Sequence, residues 1–294
     1  MAKLGIDHKW RAIALAPTVV VFALLTLLPI ANLVAMSVHD IAWVDGRSRW
    51  TFVGLRHFQA LPDDTLLRAG LGNTFFFAIV STLIQMALAF MLALFVSRVH
   101  RGRVIYRMLF ILPILVPAIV IGAIWKLMLN FDFGLVNDLV GLFGAVPRDW
   151  LGDRTIALWS VIIVDIWHWT PFCFLLLLAG FESLPQDVYE AARVDGVNPW
   201  SELRYVTLPL MLPTIAVTLV FRLILAFKVF DEIYLLTGGG PGTATEVLSF
   251  TVYRRFFTQD RAGYGAAMSL FAMLLVALLV IGAMAAARRR EARA

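Results

Sequence analysis

The sequence predicts an all-α membrane protein with six transmembrane helices. Of its 294 residues, 61% are hydrophobic and only 15% are Asp, Glu, Lys or Arg, whereas a soluble domain carries roughly 25% charged residues. A helix needs about 20 consecutive apolar residues to cross the hydrocarbon core of a bilayer. Six runs are long enough, at roughly Ala12–Met36, Thr74–Val96, Met108–Leu129, Ile156–Phe181, Leu210–Leu236 and Tyr264–Ala287.

The first run follows a basic segment, KLGIDHKWR, that resembles the start of a secretory signal. The run is longer than the apolar core of a signal peptide and shows no clear small-residue cleavage site. We therefore expect an uncleaved anchor. The single cysteine, Cys173, lies inside the fourth run, so the sequence offers no disulfide framework.

Basic residues outside the runs predict the orientation of the chain. An even number of spans places both termini on one side of the membrane. The termini and the even-numbered loops hold thirteen Lys and Arg residues, and the other three loops hold nine. Because cytoplasmic segments carry the basic excess, both termini are expected in the cytoplasm. The net charge of +5 follows from these flanks, and no basic face interleaved with aromatic residues indicates nucleic-acid binding.

The cytoplasmic loop over residues 182–209 predicts a bent pair of short helices. Ser183 and Gln186 have the spacing of a capping box, and Pro185 is tolerated in a first helical turn, so a helix should begin there and continue to Arg193.

Three residues predict where this helix ends and the next one runs. Gly196 can end the first helix in a left-handed conformation. Asn198 can cap a second helix, which we expect to end at Pro209.

The surface of this loop suits a protein partner. Ala191 and Ala192 leave a low surface for close approach, while Glu190 and Asp195 supply carboxylates for a basic partner. The alternative is a helix resting on lipid headgroups. Such helices are rich in Lys and Arg, whereas Gln186–Asp195 contains three acids and one Arg, which favours protein docking.

Three stretches resemble a known family. EAARVDGVNPWSELRYVTLPLMLP, at Glu190–Pro213, is similar to the EAA loop of permease subunits of bacterial binding-protein-dependent ABC importers. WHWTPFCFLLLLAGFESLP at Trp167–Pro185 and FKVFDEIYLLTGGGPGTATEVLSFTVYRRFF at Phe227–Phe257 resemble the maltose-type sugar permease branch.

The resemblance implies a type I importer permease fold over residues 1–294 as one domain, in the bacterial inner membrane. It implies a non-catalytic subunit whose EAA loop, over residues 182–209, is a coupling helix that docks on a cytoplasmic ATPase. The docking positions carried over are Glu190, Ala191, Ala192, Asp195 and Gly196.

The resemblance also implies the partners. They are a second homologous permease subunit, two ATPase subunits that bind ATP and Mg, and an extracytoplasmic substrate-binding protein that delivers a sugar. A phosphate-binding loop requires G-x-x-x-x-G-K-[ST]. The segment TGGGPGTATE has no lysine and is interpreted as a tight turn outside the cytoplasm, so ATP hydrolysis is assigned to another chain.

Ionisable side chains within the spans are costly and are usually functional. Arg222 lies about 18 Å into the fifth span, near the middle of a bilayer core of about 30 Å. Asp165 and His168 of the fourth span and Gln85 of the second lie at similar depth. Arg222 and Asp165 could neutralise one another, or this set could line a polar pathway that binds sugar hydroxyls.

Other polar and aromatic residues have simpler interpretations. Lys228 has the spacing to pair with Asp231 and Glu232 on a helix at the external interface. Four tryptophans could stack on sugar rings, although most are expected to be packing or interface aromatics; they are Trp125, Trp159, Trp167 and Trp169.

Two rival functions remain at this point. An intramembrane enzyme could use Asp165 and His168, but a metal site needs three or four convergent ligands and the five histidines are scattered. An ion-coupled secondary transporter would commonly show repeated halves, and no convincing repeat is found.

Overall fold

The computed structural model describes residues 8–99 and 101–291. Parts of the two terminal basic segments, including Lys3 and Arg293, lie outside the described residues. The elements in chain order are α1 His8–Ser37, β1 His39–Val44, β2 Arg47–Phe52, α2 Arg56–Ala60, α3 Thr65–Arg98, α4 Arg103–Leu115, α5 Ala118–Met128, α6 Leu135–Leu142, α7 Ala157–Glu182, α8 Gln186–Val194, α9 Pro199–Glu202, α10 Leu208–Phe227, α11 Asp231–Leu236, α12 Leu248–Tyr253 and α13 Ala262–Glu291.

Within the described part of the chain, five helical stretches are long and apolar enough to cross a membrane. A bent pair of helices makes a sixth when it is counted as one span. The five stretches are Ile13–Ser37, Thr65–Arg98, Ala157–Glu182, Pro199–Leu236 and Ala262–Gly282.

The third apolar run, expected as one helix, is broken. It forms α4 and α5, which meet at 89°. Pro113 lies near the end of α4, and Val116 precedes Pro117 with extended backbone angles, φ −85° and ψ 127°. A residue before proline is pushed out of the helical region, so the Val116–Pro117 sequence ends α4 and sets the bend.

Contacts divide the chain into two units. The first unit contains the chain up to Asp64 together with Val252–Leu274. Within it, β1 and β2 form an antiparallel hairpin that was not foreseen. Its turn is Asp45-Gly46, with φ of 50° and 73°, and this pairing of Asp with Gly is a strong hairpin signal that could have been recognised from the sequence.

An ion pair inside the first unit fixes the start of α13. Arg255 donates from Nη2 to both carboxylate oxygens of Asp64, at 2.8 and 2.7 Å, and the Tyr264 hydroxyl donates to the same carboxylate at 2.9 Å. These bonds join α13 and the chain before it to the residues that precede α3.

The second unit contains Thr65–Thr251 and the chain from Leu275 onward. Its core lies where α3 and α7 pack along one another, and α4 and α10 close the same core. Gly180 allows α10 close to α7, because a Cβ there would lie only 2.7 Å from Thr214. Close helix packing of this kind positions the polar side chains described below.

Candidate functional site

The helical segment between α7 and α10 begins differently from expectation. Helix α8 starts at Gln186, whereas a capping box with Ser183 as the cap would make Gln186 the third residue of the helix. Ser183 is instead the C-cap of α7, and its hydroxyl donates back to the Gly180 carbonyl at 2.8 Å. The capping-box prediction is therefore wrong about where the helix begins.

The turn between α8 and α9 has the predicted structure. Gly196 adopts φ +70°, a left-handed conformation that other residues rarely occupy. The Asn198 side chain accepts a hydrogen bond from the Ser201 backbone N–H at 2.9 Å, and Pro199 is the first residue of α9. We call Gln186–Glu202 the α8–α9 segment.

The second helix does not end at Pro209, which corrects the predicted boundary. Leu203–Thr207 form one π-helical turn, in which the Leu208 N–H bonds to the Leu203 carbonyl, and α10 follows without a break. In an α-helix the Pro209 ring would clash with the carbonyl four residues earlier. The wider turn accommodates that ring, so α9 leads directly into α10.

The predicted docking positions differ in exposure. Glu190, Ala191, Asp195 and Gly196 are exposed, whereas Ala192 is only 7% exposed. Consecutive residues on a helix point about 100° apart, so the two alanines cannot share one outer face. The surface open to a partner is therefore narrower than the EAA pattern alone predicts.

Contacts with neighbouring helices hold the α8–α9 segment in place. The Arg98 guanidinium of α3 lies 3.0 Å from the Glu202 carboxylate. The Tyr189 hydroxyl donates to the Thr207 hydroxyl at 3.1 Å. A cavity of about 390 Å³ remains between these contacts.

A buried polar cluster lies among the membrane helices. The Arg222 guanidinium of α10 donates to the Asp165 carboxylate of α7 and to the Gln85 amide oxygen of α3. The Gln85 amide N–H groups donate to the carboxylate and the backbone carbonyl of Asp165, both at 2.9 Å. All three side chains are at most 1% exposed. The predicted Arg222–Asp165 pair is therefore present, with Gln85 as its third member.

His168 lies in a second part of this cluster, apart from Asp165. Its Nδ1 is 3.1 Å from the Glu232 carboxylate, which also accepts from Trp169 Nε1 at 3.4 Å. The Arg222 guanidinium stands 5.4 Å above the Trp169 ring. Trp169 therefore joins the Arg222–Asp165 ion pair to the contact between His168 and Glu232. We use the name buried polar cluster for Gln85, Asp165, His168, Trp169, Arg222 and Glu232.

This arrangement corrects two interpretations. Glu232 was expected to pair with Lys228 at the external interface, yet α10 ends at Phe227 and α11 begins at Asp231. Helical spacing does not apply across that break, and Glu232 turns inward to His168. Asp165 and His168 bind different partners, so the structure does not form the catalytic pair of the enzyme hypothesis.

The tryptophans considered for sugar stacking occupy different environments. Trp159 and Trp167 are 45% and 44% exposed on the outer surface of α7. Trp167 contacts Trp125 at a ring separation of 5.7 Å. Trp169 alone of these residues belongs to the buried polar cluster.

The glycine-rich stretch after α11 is more buried than a simple exposed turn. Gly238, Gly239 and Gly242 have positive φ, and Thr245 is completely buried. The Asn73 side chain of α3 donates to the carbonyls of Thr243 and Glu246 at 2.9 and 2.8 Å. This stretch is a packed connection within the second unit.

The apolar helices make the chain an integral membrane protein. A family model described as "binding-protein-dependent transport system inner membrane component" matches residues 85–293. The match covers most of the chain, including the buried polar cluster and the α8–α9 segment, and the chain belongs to this family. It is the permease component of an ABC transport system.

Curated relatives agree with this assignment. The chain is 34% identical over 271 residues to the trehalose/maltose transport system permease protein MalF of Thermococcus litoralis, covering 92% of this chain and 90% of that protein. It is 34% identical over 229 residues to the sn-glycerol-3-phosphate transport system permease protein UgpA of Agrobacterium fabrum, covering 78% of each.

Solved structures show the same fold. A chain of a bacterial ABC transporter that imports the acidic polysaccharide alginate has a TM-score of 0.84 and 26% identity, with 97% of both chains covered. The type I importer permease fold expected from the EAA loop is confirmed.

Proposed function

We propose that this chain is one permease subunit of an ATP-driven importer of a sugar, a polyol or a sugar derivative. Relatives named for trehalose and maltose, for starch degradation products and for alginate support a carbohydrate cargo. The chain would form half of the translocation pathway, and residues 1–294 would act as a single permease domain.

The surface of the α8–α9 segment is the structural observation that supports this proposal most directly. It places two carboxylates, Glu190 and Asp195, in solvent beside the exposed Ala191 and the turn at Gly196. A basic cleft on a cytoplasmic ATPase would fit this surface, and Ala192 would support it from below. ATP and Mg would then be bound by that partner.

Further subunits would complete the importer. A second homologous permease would supply the other half of the pathway, and two ATPase subunits and an extracytoplasmic sugar-binding protein would act with the pair. The apolar side chains of α1 are largely exposed within this chain, with Leu25 at 73%, which suits a helix covered by lipid or by another subunit. Both termini would lie on the cytoplasmic side of the inner membrane.

The candidate pathway residues are bonded within the chain rather than open to a sugar. Gln85, Asp165, His168 and Arg222 are each at most 3% exposed and are bonded to one another or to Glu232. We propose that they hold the transmembrane helices together in this conformation. Contact with a sugar would require these bonds to open during transport.

ATP dependence tests the proposed function. The chain would be reconstituted with its partner subunits, and uptake of a radiolabelled saccharide would be measured with an active ATPase and with one that cannot hydrolyse ATP. Uptake should require the active ATPase. Uptake that persists on a proton or sodium gradient would contradict the proposal and support the ion-coupled transporter.

A further inference from the structure

An open pocket of about 420 Å³ lies within the first unit. One wall is a single face of the β-hairpin. The register places Trp50 opposite Ile41 and Ser48 opposite Trp43, and directly paired residues project from the same face of a sheet. Two indole rings therefore stand on one wall of the pocket.

The opposite side of the pocket comes from the chain that precedes α13. Phe256, Phe257 and Asp260 line it, and Asn32 of α1 contributes an amide. The volume is within the range of about 300–1,000 Å³ that is typical of small-molecule sites. The pocket therefore combines aromatic faces with a carboxylate, an amide and the Ser48 hydroxyl.

Contacts at the sides of the pocket hold three of its aromatic rings in position. The Trp50 ring lies 5.6 Å from the His39 ring, and His39 Nδ1 is bonded to the Ala35 carbonyl at 2.6 Å. The rings of Phe256 and Phe257 are 4.7 Å apart. A site whose rings are already fixed loses less conformational entropy when a ligand binds.

The groups that would meet a ligand are accessible. Trp43 is 63% exposed, Trp50 43% and Phe257 70%. Asp260 is exposed and adopts φ +53°, an uncommon conformation for a residue other than glycine. Among the residues that the structure describes, no side chain or backbone group donates to the Asp260 carboxylate.

We propose that this pocket binds a pyranose ring of a neutral saccharide, at a site separate from the buried polar cluster. A pyranose has C–H faces that pack on indole rings and hydroxyls at its edge that donate to a carboxylate or pair with an amide. The Asp260 carboxylate disfavours an anionic sugar. The inference rests on the proposed carbohydrate import and adds a ligand and a charge preference.

Aromatic residues at this place also suit a membrane interface, since Trp and Tyr are enriched there. The hairpin follows directly after the first span, which ends at Ser37. Two features favour a sugar instead. The aromatic groups line a concave pocket, and Asp260 lies among them, where burial in lipid would be costly for a carboxylate.

Saturation-transfer NMR on the full transporter complex in nanodiscs, without binding protein, tests the proposal. The probes are maltotriose, cellotriose and a trisaccharide of uronic acids. A neutral trisaccharide should receive saturation on its C–H protons. Trp50→Ala should weaken its binding at least tenfold and Trp50→Phe by less than threefold. Trp159→Ala, which changes an exposed tryptophan on the outer surface of α7, should have no effect.

Asp260→Asn tests the charge preference without disturbing the backbone, because Asn also tolerates the left-handed conformation. It should weaken binding of the neutral trisaccharide several-fold and improve binding of the acidic one. An acidic trisaccharide that binds the unmodified complex more tightly than both neutral ones would overturn the proposal.

Three other outcomes of these measurements, and one of a separate fluorescence measurement, would also overturn it. They are no saturation transfer to any of the three saccharides, an unchanged signal in Trp50→Ala, and loss of binding-protein-stimulated ATPase activity in Trp50→Ala with saccharide binding intact. The last result would make the pocket a protein-docking site. Quenching by brominated lipids of the part of the fluorescence that Trp50→Phe removes would likewise assign these rings to the membrane interface.

Uptake by the unmodified complex separates this proposal from the proposed function. If the complex imports a saccharide by an ATP-dependent route while the pocket variants bind like the unmodified protein, only the pocket assignment fails. If the pocket binds a neutral saccharide but no saccharide is imported, only the transport assignment fails.

Discussion

The buried polar cluster and the α8–α9 segment both contain carboxylates and differ in what those carboxylates bind. Asp165 is 1% exposed and Glu232 4%, and each accepts hydrogen bonds from other side chains of the same chain. Glu190 and Asp195 are exposed. An ionised group in a membrane interior must be paired, whereas one in water can remain available. The comparison separates the acids that stabilise this chain from those that can serve a partner.

Cysteine labelling tests which side of the membrane the α8–α9 segment faces, and labelling is expected either to occur fully or not at all. Ser201→Cys in α9 should react with a membrane-impermeant maleimide only after permeabilisation, and Thr243→Cys should react without it. The unmodified chain is a suitable background, because its only cysteine, Cys173, is buried. The reverse pattern would contradict the cytoplasmic placement of the α8–α9 segment.

Replacing one member of the buried ion pair should have the largest effect on stability. Arg222→Leu leaves Asp165 buried and uncompensated, which costs on the order of 3–5 kcal/mol. We expect little assembled protein and no uptake. Thermal unfolding in detergent and the yield of assembled complex measure the loss.

The double variant Arg222→Leu/Asp165→Leu should recover assembly and much of the uptake, because it removes both charges. Gln85 then keeps the backbone carbonyl of residue 165 as an acceptor, 2.9 Å away in the unmodified protein. A double variant that assembles normally without uptake would show that Arg222 contacts the cargo.

Charge reversal in the α8–α9 segment should impair transport without unfolding the chain. Glu190→Lys should reduce uptake at least tenfold and weaken substrate-stimulated ATPase activity, because it places a cation against the proposed basic cleft. The unfolding temperature should stay within about 2 °C of the original, since exposed substitutions usually change stability by less than about 0.5 kcal/mol.

Asp138→Lys is a matched control, since it reverses an exposed acid on another helix, α6. Its uptake should equal that of the unmodified protein. Full uptake and ATPase stimulation in Glu190→Lys would remove Glu190 from the docking surface.

A substitution in the turn between α8 and α9 should give the smallest effect. Gly196→Ala places a Cβ in the left-handed region at φ +70° and should cost about 1–2 kcal/mol locally. Gly72→Ala in α3 is the control, because a Cβ there meets no other atom within 4 Å. The two variants would be compared by hydrogen exchange of α8 and α9. Equal protection in both would show that the turn does not depend on glycine.

The sequence predicted those features that depend on neighbouring residues. The apolar runs gave the membrane helices, and the Gly196 turn and the Asn198 cap have the expected geometry. The Pro209 boundary failed because a π-helical turn accommodates a proline that would end an ordinary helix. The Asp45-Gly46 hairpin turn was present in the sequence and was overlooked.

The candidate site was predictable only in part, for a physical reason. Depth along a helix follows from residue number, so the sequence predicts that Gln85, Asp165 and Arg222 lie at similar depth in the membrane. Rotation about the helix axis does not follow from it. The sequence therefore left open which partner His168 faces, and the break between α10 and α11 hid the inward turn of Glu232.

The π-helical turn at Leu203–Thr207 determines how the α8–α9 segment is rotated about the helix axis relative to Arg222 of α10. Each residue of a helix advances the chain by about 100°, and a π turn contains one residue more than an α turn. The wider turn absorbs the extra residue within about the same rotation. If the same residues formed an unbroken α-helix instead, the α8–α9 segment would be rotated by about 100° relative to Arg222. The hydrogen bonding of one turn thus determines which side chains the segment presents to its partner, whatever those side chains are.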